Sequence, residues 1–156
     1  MALLSQTTEY ALQAIVLLAA FPGEPRTSKQ ITAATSAPEG YISKVMQTLV
    51  RAGLVHSKRG LGGGFTLARH ANDITLLDVV DAVDPLVPIE RCPMGQTREN
   101  CRQLCALHRR INHSTEMVRR VFRDTTISEL LVNPPHWLDA DAPGLQRTPR
   151  AASDGR

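Results

Sequence analysis

The stretch Ser57-Lys58-Arg59-Gly60-Leu61-Gly62-Gly63-Gly64-Phe65-Thr66-Leu67-Ala68-Arg69 decides how the chain is read. Two short β-like runs, Leu54–Ser57 and Phe65–Ala68, flank a glycine-rich segment suited to a hairpin tip. The tip carries two cations, Lys58 and Arg59, on a backbone that other molecules can approach closely. Glycine-rich loops also cradle phosphates in nucleotide-binding enzymes. This one has no Lys-Ser/Thr pair and no helix starting behind it, so a P-loop is not supported.

Upstream of the hairpin the period changes from two to 3.6. A helix is expected from Pro38 to about Ala52, with Tyr41, Ile42, Val45, Met46, Leu49 and Val50 on its apolar face. Ser43, Lys44, Gln47 and Arg51 mark the polar face, and Gly53 supplies the stop. Before it, Ser28 is expected to cap a short helix that runs to Thr35, and Ser36-Ala37-Pro38 makes a turn. The first helix is read over Thr7–Phe21, capped by Thr7 or Thr8 and stopped by Pro22-Gly23. Three helices followed by a two-stranded hairpin is the chain order of a winged helix-turn-helix. The expected fold is therefore mainly α with a small β-hairpin wing.

Downstream, Thr75 can cap a short helix over Leu76–Val83, closed by Asp84-Pro85. Residues 85–100 read as a loop holding Cys92. A long helix is expected to begin near Cys101 and continue to about Asp124. Leu104, Leu107, Ile111, Ser114, Val118, Val121 and Thr125 advance by alternating steps of three and four, which is the spacing of a coiled-coil seam. That seam predicts a homodimer, with Leu104, Leu107, Ile111, Val118 and Val121 in the interface. Thr126–Val132 can add one or two turns. From Pro134 onward Pro, Asp, Arg and small residues dominate, which reads as a disordered tail. The expected division is a winged helix-turn-helix DNA-binding domain over 1–84, the loop that holds Cys92 over 85–100, dimerisation and terminal helices over 101–132, and the tail over 133–156.

The chain has 156 residues, 42% of them apolar and 21% charged, enough for one ordinary domain with a helical extension. No run of eighteen apolar residues occurs, which excludes a transmembrane helix. The apolar stretch Ala11–Phe21 follows Glu9 rather than a basic segment, so a signal peptide is not supported and the chain reads as cytoplasmic. Residues 1–70 carry seven Lys/Arg against three Glu, whereas residues 71–156 carry eleven against twelve acidic residues. The basic half is the candidate for phosphate contact. Within a winged helix-turn-helix, Ser28, Lys29, Glu39, Tyr41, Ser43, Lys44 and Gln47 offer groups to bases or phosphates, and Lys58 and Arg59 reach from the wing. No local arrangement pairs a nucleophile with a base, so the chain is not read as an enzyme.

All three cysteines, Cys92, Cys101 and Cys105, lie within fourteen residues. An odd number in a cytoplasmic-looking chain argues against a disulfide framework and for a metal, a cluster or a thiol switch. Thiolates suit iron–sulfur clusters, and a Cys3His zinc site that uses His108 is the chemical rival. Cys101 and Cys105 are four apart and are expected on one face of a helix start, with His108 one turn further.

Several motifs resemble the Rrf2 family of winged-helix regulators, which includes IscR, NsrR and RirA. They are Thr8-Glu9-Tyr10-Ala11-Leu12, Tyr41-Ile42-Ser43-Lys44, Ala52-Gly53-Leu54-Val55, the wing from Ser57 to Arg69, and Ile74-Thr75-Leu76-x-Asp78-Val79-Val80-x-Ala82. The likeness covers about residues 1–132. It implies a homodimeric bacterial regulator that binds a double-stranded DNA operator, joined through its long C-terminal helix. Many members hold a 2Fe-2S or 4Fe-4S cluster on three cysteines placed where Cys92, Cys101 and Cys105 stand here. The gaps of eight and three residues between these cysteines depart from the commonest spacing of about five in each. Cys105-x2-His108 is similar to the IscR ligand set, whereas Glu9 before Tyr10 is similar to the acidic ligand that NsrR-like members lend to the partner subunit. The reading is a repressor that senses nitric oxide, redox stress or iron status and has no membrane partner and no small-molecule substrate. The alternatives are a cluster-free member governed by thiol oxidation, zinc or a small ligand, and a small iron–sulfur electron carrier.

Overall fold

A computed structural model describes residues 4–35, 37–38, 40–95, 97 and 105–138. Helix α1 spans Gln6–Ala20, α2 Ser28–Thr35 and α3 Tyr41–Arg51. Strands β1 (Val55–Lys58) and β2 (Gly64–Leu67) follow, then a 3₁₀ turn over Ala71–Asp73 and α4 over Leu76–Val83. The long helix is α5, Ala106–Asp124, and α6 (Ile127–Leu130) and a second 3₁₀ turn (His136–Leu138) come last. This is the winged helix-turn-helix with a long C-terminal helix that the pattern predicted.

Helix α1 is the hub. Ala11, Ala14, Ile15, Leu17 and Leu18 are fully or almost fully buried, and α2, α3 and α4 all pack on it. Ile31 from α2, Ile42, Met46 and Leu49 from α3, and Val79 from α4 complete one core. Ile127 belongs to the same core, so the chain returns to the unit formed by α1 to α4 after the long helix. The return is pinned by two backbone bonds, Leu76 N–H to Thr125 O and Ile127 N–H to Ile74 O, each 2.9 Å.

Several boundaries differ from the sequence reading, each for a local reason. Ser5, not Thr7 or Thr8, caps α1, and its Oγ accepts the Thr8 N–H at 3.3 Å. Thr8 is instead buried. Thr27 rather than Ser28 caps α2, because Thr27 and Gln30 exchange bonds, Gln30 N–H to Thr27 Oγ1 and Thr27 N–H to Gln30 Oε1. Helix α3 starts at Tyr41 and not at Pro38, because Gly40 takes a left-handed φ of 80° that no helix interior accommodates. Its far end does stop at Gly53, where Leu54 N–H reaches Leu49 O and Gly53 N–H reaches Val50 O. The tail from Pro134 does not begin as an extended coil. Trp137 and Leu138 turn back and pack against the core, since their apolar surface outweighs the surrounding polar composition. Residues 139–156 lie outside the described residues.

The wing strands pair antiparallel, Val55 with Leu67 through Lys58 with Gly64. A third segment joins them. Arg26 and Phe65 exchange backbone bonds of 3.0 and 2.8 Å, which ties the wing to the link between α1 and α2. Gly64 makes this approach possible, because a Cβ there would stand 2.8 Å from the Arg26 carbonyl and φ is +147°. Gly64→Ala is therefore expected to cost about 2 kcal/mol or more in urea unfolding. Gly62→Ala, at a φ of +70° with open space around its Cβ position, should cost only about 1 kcal/mol.

Candidate functional site

Two surfaces carry the candidate residues. The first is built by α3 and the wing. Ile42, Val45, Met46 and Leu49 anchor α3, which leaves Tyr41, Lys44, Gln47 and Arg51 facing outward. Ser43 is half-buried beside them. On α2, Lys29 is exposed and Ser28 half-buried. Lys58 and Arg59 are exposed at the start of the wing tip, and Leu61 at its apex has no neighbour covering it. Glu39 lies outside the described residues. Tyr41 is partly committed to the fold, since its hydroxyl hydrogen-bonds Thr7 and its ring packs edge-on against Tyr10, centroids 5.7 Å apart.

The second surface is the thiol site. Cys105 does not sit inside a helix. It has extended geometry (φ −78°, ψ 102°) and caps α5, and its Sγ accepts the His108 N–H at 3.5 Å. The argument that Cys101 and Cys105 share a helix face by their spacing of four therefore fails at Cys105. Cys101 and Leu104 themselves lie outside the described residues. Cys92 is half-buried, with its Sγ 3.6 Å from that of Cys105, a contact of two thiols rather than a disulfide. Cys105 and His108 are buried. The unbonded N–H groups of a helix's first turn favour negative charge, so this location suits thiolates.

Glu9 is exposed in the first turn of α1. Among the described residues no three Cys, His, Asp or Glu side chains of one chain gather closely enough to hold a metal ion, Glu9 and His108 included. The structure thus brings together Cys92, Cys105 and the His108 backbone, and it does not bring Glu9 to them within the chain. The donor chemistry fits a soft metal or a cluster: two adjacent sulfurs at a helix start, the third cysteine of the set only four residues before Cys105.

The long helix has a divided surface. Leu107, Met117 and Val121 are exposed, and Ile111 and Val118 line an open groove of 290 Å³ with Leu86, Arg110, Ser114 and Thr115. Of these, Leu107, Ile111, Ser114, Val118 and Val121 belong to the predicted seam. No helix among the described residues is long and apolar enough to cross a membrane.

The family of iron-dependent transcriptional regulators named Rrf2 matches residues 4–133. The chain belongs to the Rrf2 family. The transcriptional regulator NsrR of Geobacillus kaustophilus is 30% identical over 130 residues, 82% of this chain and 88% of that protein. Among solved structures, the global cysteine regulator CymR of B. subtilis superposes with a TM-score of 0.69 at 28% identity, over 86% of this chain and all of that one. IscR of T. potens gives a TM-score of 0.61 at 25% identity, over 84% of this chain and 87% of that one. This Rrf2 chain is accordingly a DNA-binding transcriptional regulator by family, and its relatives are regulators rather than enzymes.

Sequence reasoning missed four residues of this Rrf2 protein that organise the two surfaces. Arg26 is fully buried, its guanidinium 4.2 Å from the centre of the Phe21 ring and 3.1 Å from Glu24. Asp81 on α4 takes a bidentate bond from Arg119 on α5 at 2.8 and 2.9 Å, and this pairing holds the guanidinium pKa above its usual value. Asn112 on α5 accepts the Ile89 N–H at 2.9 Å. Asp81, Arg119 and Asn112 have no short-range signal, because each partner lies far away in the chain, and Arg26, although Phe21 and Glu24 are near it in sequence, is fixed by its backbone pairing with Phe65 of the wing.

The capping role of Cys105 can be separated from any ligand role. Cys105→Ala should cost about 0.5–1 kcal/mol in thermal or urea unfolding, whereas Cys105→Ser, which keeps a capping acceptor, should match the parent.

Proposed function

We propose that the protein is a cytoplasmic, homodimeric repressor whose affinity for a double-stranded operator is set by an iron–sulfur cluster, 2Fe-2S or 4Fe-4S. The observation that carries the sensing half is the Cys92–Cys105 contact at the start of α5. Cys92, Cys101 and Cys105 are the assigned thiolate ligands, with Glu9 reaching across the dimer or His108 from the same chain as the fourth. When bound, such a cluster supplies a centre that reacts with nitric oxide and oxidants and is lost when iron is short. The chain's own part is to hold the sulfurs together, stabilise their charge at the helix start and keep one side half-buried.

The DNA half rests on α3 and the wing. Helix α3 enters the major groove with Ser43, Lys44 and Gln47, supported by Ser28 and Lys29 at the start of α2. Glu39 and Tyr41 stand at the start of α3, and Lys58 and Arg59 reach the backbone or the minor groove. The exposed apolar stripe of α5 is covered by a second copy, since pairing removes Leu107, Ile111, Val118 and Val121 from water at about 25 cal/mol per Å². A second reading is favoured by the 3.6 Å thiol contact itself: a cluster-free regulator in which oxidation of this cysteine pair changes operator affinity.

Two variants test the surfaces on a duplex selected from a random pool by the parent protein. Arg59→Ala should remain dimeric and lose about 1–3 kcal/mol of operator affinity at fixed salt. Ile111→Asp should shift sedimentation towards monomer, and a dimer as tight as the parent would place the interface elsewhere. For the sensing half, an anaerobic, iron-replete preparation should contain iron and sulfide and absorb in the visible, and Cys105→Ser should abolish that absorption. Zinc without sulfide would end the cluster reading, and a colourless, metal-free protein whose operator affinity follows thiol oxidation would establish the second.

A further inference from the structure

The segment between α4 and α5 meets α5 at two places and its cap Cys105 at a third, with a matched spacing. The Leu86 carbonyl accepts from Arg119 Nη1 at 2.9 Å, the Ile89 N–H donates to Asn112 Oδ1 at 2.9 Å, and Cys92 Sγ meets Cys105 Sγ at 3.6 Å. Each step of three residues along the segment matches seven residues along the helix, in the opposite direction. Three extended residues cover about 10 Å and seven helical residues about 10.5 Å, so the segment runs antiparallel along about two turns of helix per step, unbent from Leu86 to Glu90 and with one bend at Arg91. Pro85 and Pro88 favour this extended course.

The far end of the segment is bolted to α4. The Arg119 nitrogen that serves the Leu86 carbonyl also serves Asp81, at 2.8 Å. Helix α4 packs on α3, and its last residue, Val83, lines a small hollow with Tyr41, Lys44 and Thr48 of α3. One guanidinium therefore joins the cysteine segment, the long helix and the support of the recognition helix.

We infer that residues 86–92 are a register strap, that Asn112 is the positioning residue that holds Cys92 opposite Cys105, and that the Arg119–Asp81 clamp passes a change at the thiol site to α3. Between the Leu86 and Ile89 anchors the strap has no bend in which to store slack, and a single bend, at Arg91, stands between Ile89 and Cys92. A change in the Cys92–Cys105 separation larger than that bend takes up moves the Ile89 and Leu86 bonds along α5 or breaks them. The DNA part of this inference rests on the operator-binding reading above, whereas the register part does not.

The test uses the full chain with Cys101→Ser, so that Cys92 and Cys105 are the remaining thiols, and dibromobimane, which fluoresces when it bridges two thiols. Asn112→Ala removes the acceptor and should slow bridging about tenfold through the lost alignment. N-ethylmaleimide, which needs one thiol at a time, should react at the parent rate. Asn112→Asp retains an acceptor and should bridge within about twofold of the parent, since only alignment is at stake. Ile89→Pro removes the donor without touching α5 and should behave as Asn112→Ala does, which keeps the test decisive if that variant unfolds. Bridging at the parent rate in both folded variants overturns the strap. Bridging should also change the parent's affinity for its selected duplex and leave that of Asn112→Ala unchanged. Equal affinity of bridged and unbridged parent would overturn the passage to α3. A chain with all three cysteines intact that binds no duplex at all would instead defeat the operator-binding reading and leave the bridging comparison intact.

Discussion

The pairing of Arg26 with Phe65 is the constraint on which the placement of the wing beside α3 depends. A two-stranded hairpin alone is marginal in water, so the wing needs an attachment. The link between α1 and α2 provides it through a single β-bridge at Arg26, and the two backbone bonds tie the wing to the segment between the helices. The buried Arg26 side chain reinforces the joint by stacking on Phe21 and pairing with Glu24. A buried cation is costly unless paired, and its position over an aromatic face with a carboxylate beside it offsets that cost. The glycines of the wing are then not only turn formers. Gly63 and Gly64 clear space for the Lys58 and Arg26 backbones, which is why the run is longer than a hairpin tip requires.

From that joint the molecule extends in two directions. On one side, α3 is held by four buried side chains on one face and leaves its polar face outward. On the other, α4 serves as the middle layer. It packs on α1 and α3 on one side and on α5 on the other, with the Asp81–Arg119 bond across the second contact. That ion pair is partly exposed, and its direct contribution to stability is small. Its importance is geometric, since a bidentate guanidinium fixes orientation as well as distance.

The thiol site shows how a boundary error in a sequence reading changes chemistry. A helix that began near Cys101 would place Cys101 and Cys105 on one face as side-by-side donors. With α5 beginning at Ala106, Cys105 is a cap, and its sulfur lies at the positive end of the helix, bonded to the His108 N–H. Its close neighbour among the described residues is Cys92, thirteen residues earlier. Sequence spacing gave no means of pairing these two, because the loop between them could have taken many courses.

The sequence by itself determined the winged-helix class, the order of its elements, the amphipathic face of α3, the apolar stripe of the long helix and the cysteine set. These are all local signals: a period of 3.6 or 2, a cap, a glycine run, a cluster of soft donors. Helix boundaries set by side-chain competition were legible only to within a few residues, since Ser5, Thr7 and Thr8 are equally good caps until burial takes Thr8 inward. The tertiary structure alone decided the attachment of the wing to Arg26, the return of Ile127 and Trp137 to the core, and the matching of Leu86, Ile89 and Cys92 to Arg119, Asn112 and Cys105. Each joins groups far apart in the chain through backbone bonds or a single side chain. Such contacts leave no periodic trace, and only the packed chain shows which of many partners each group has found.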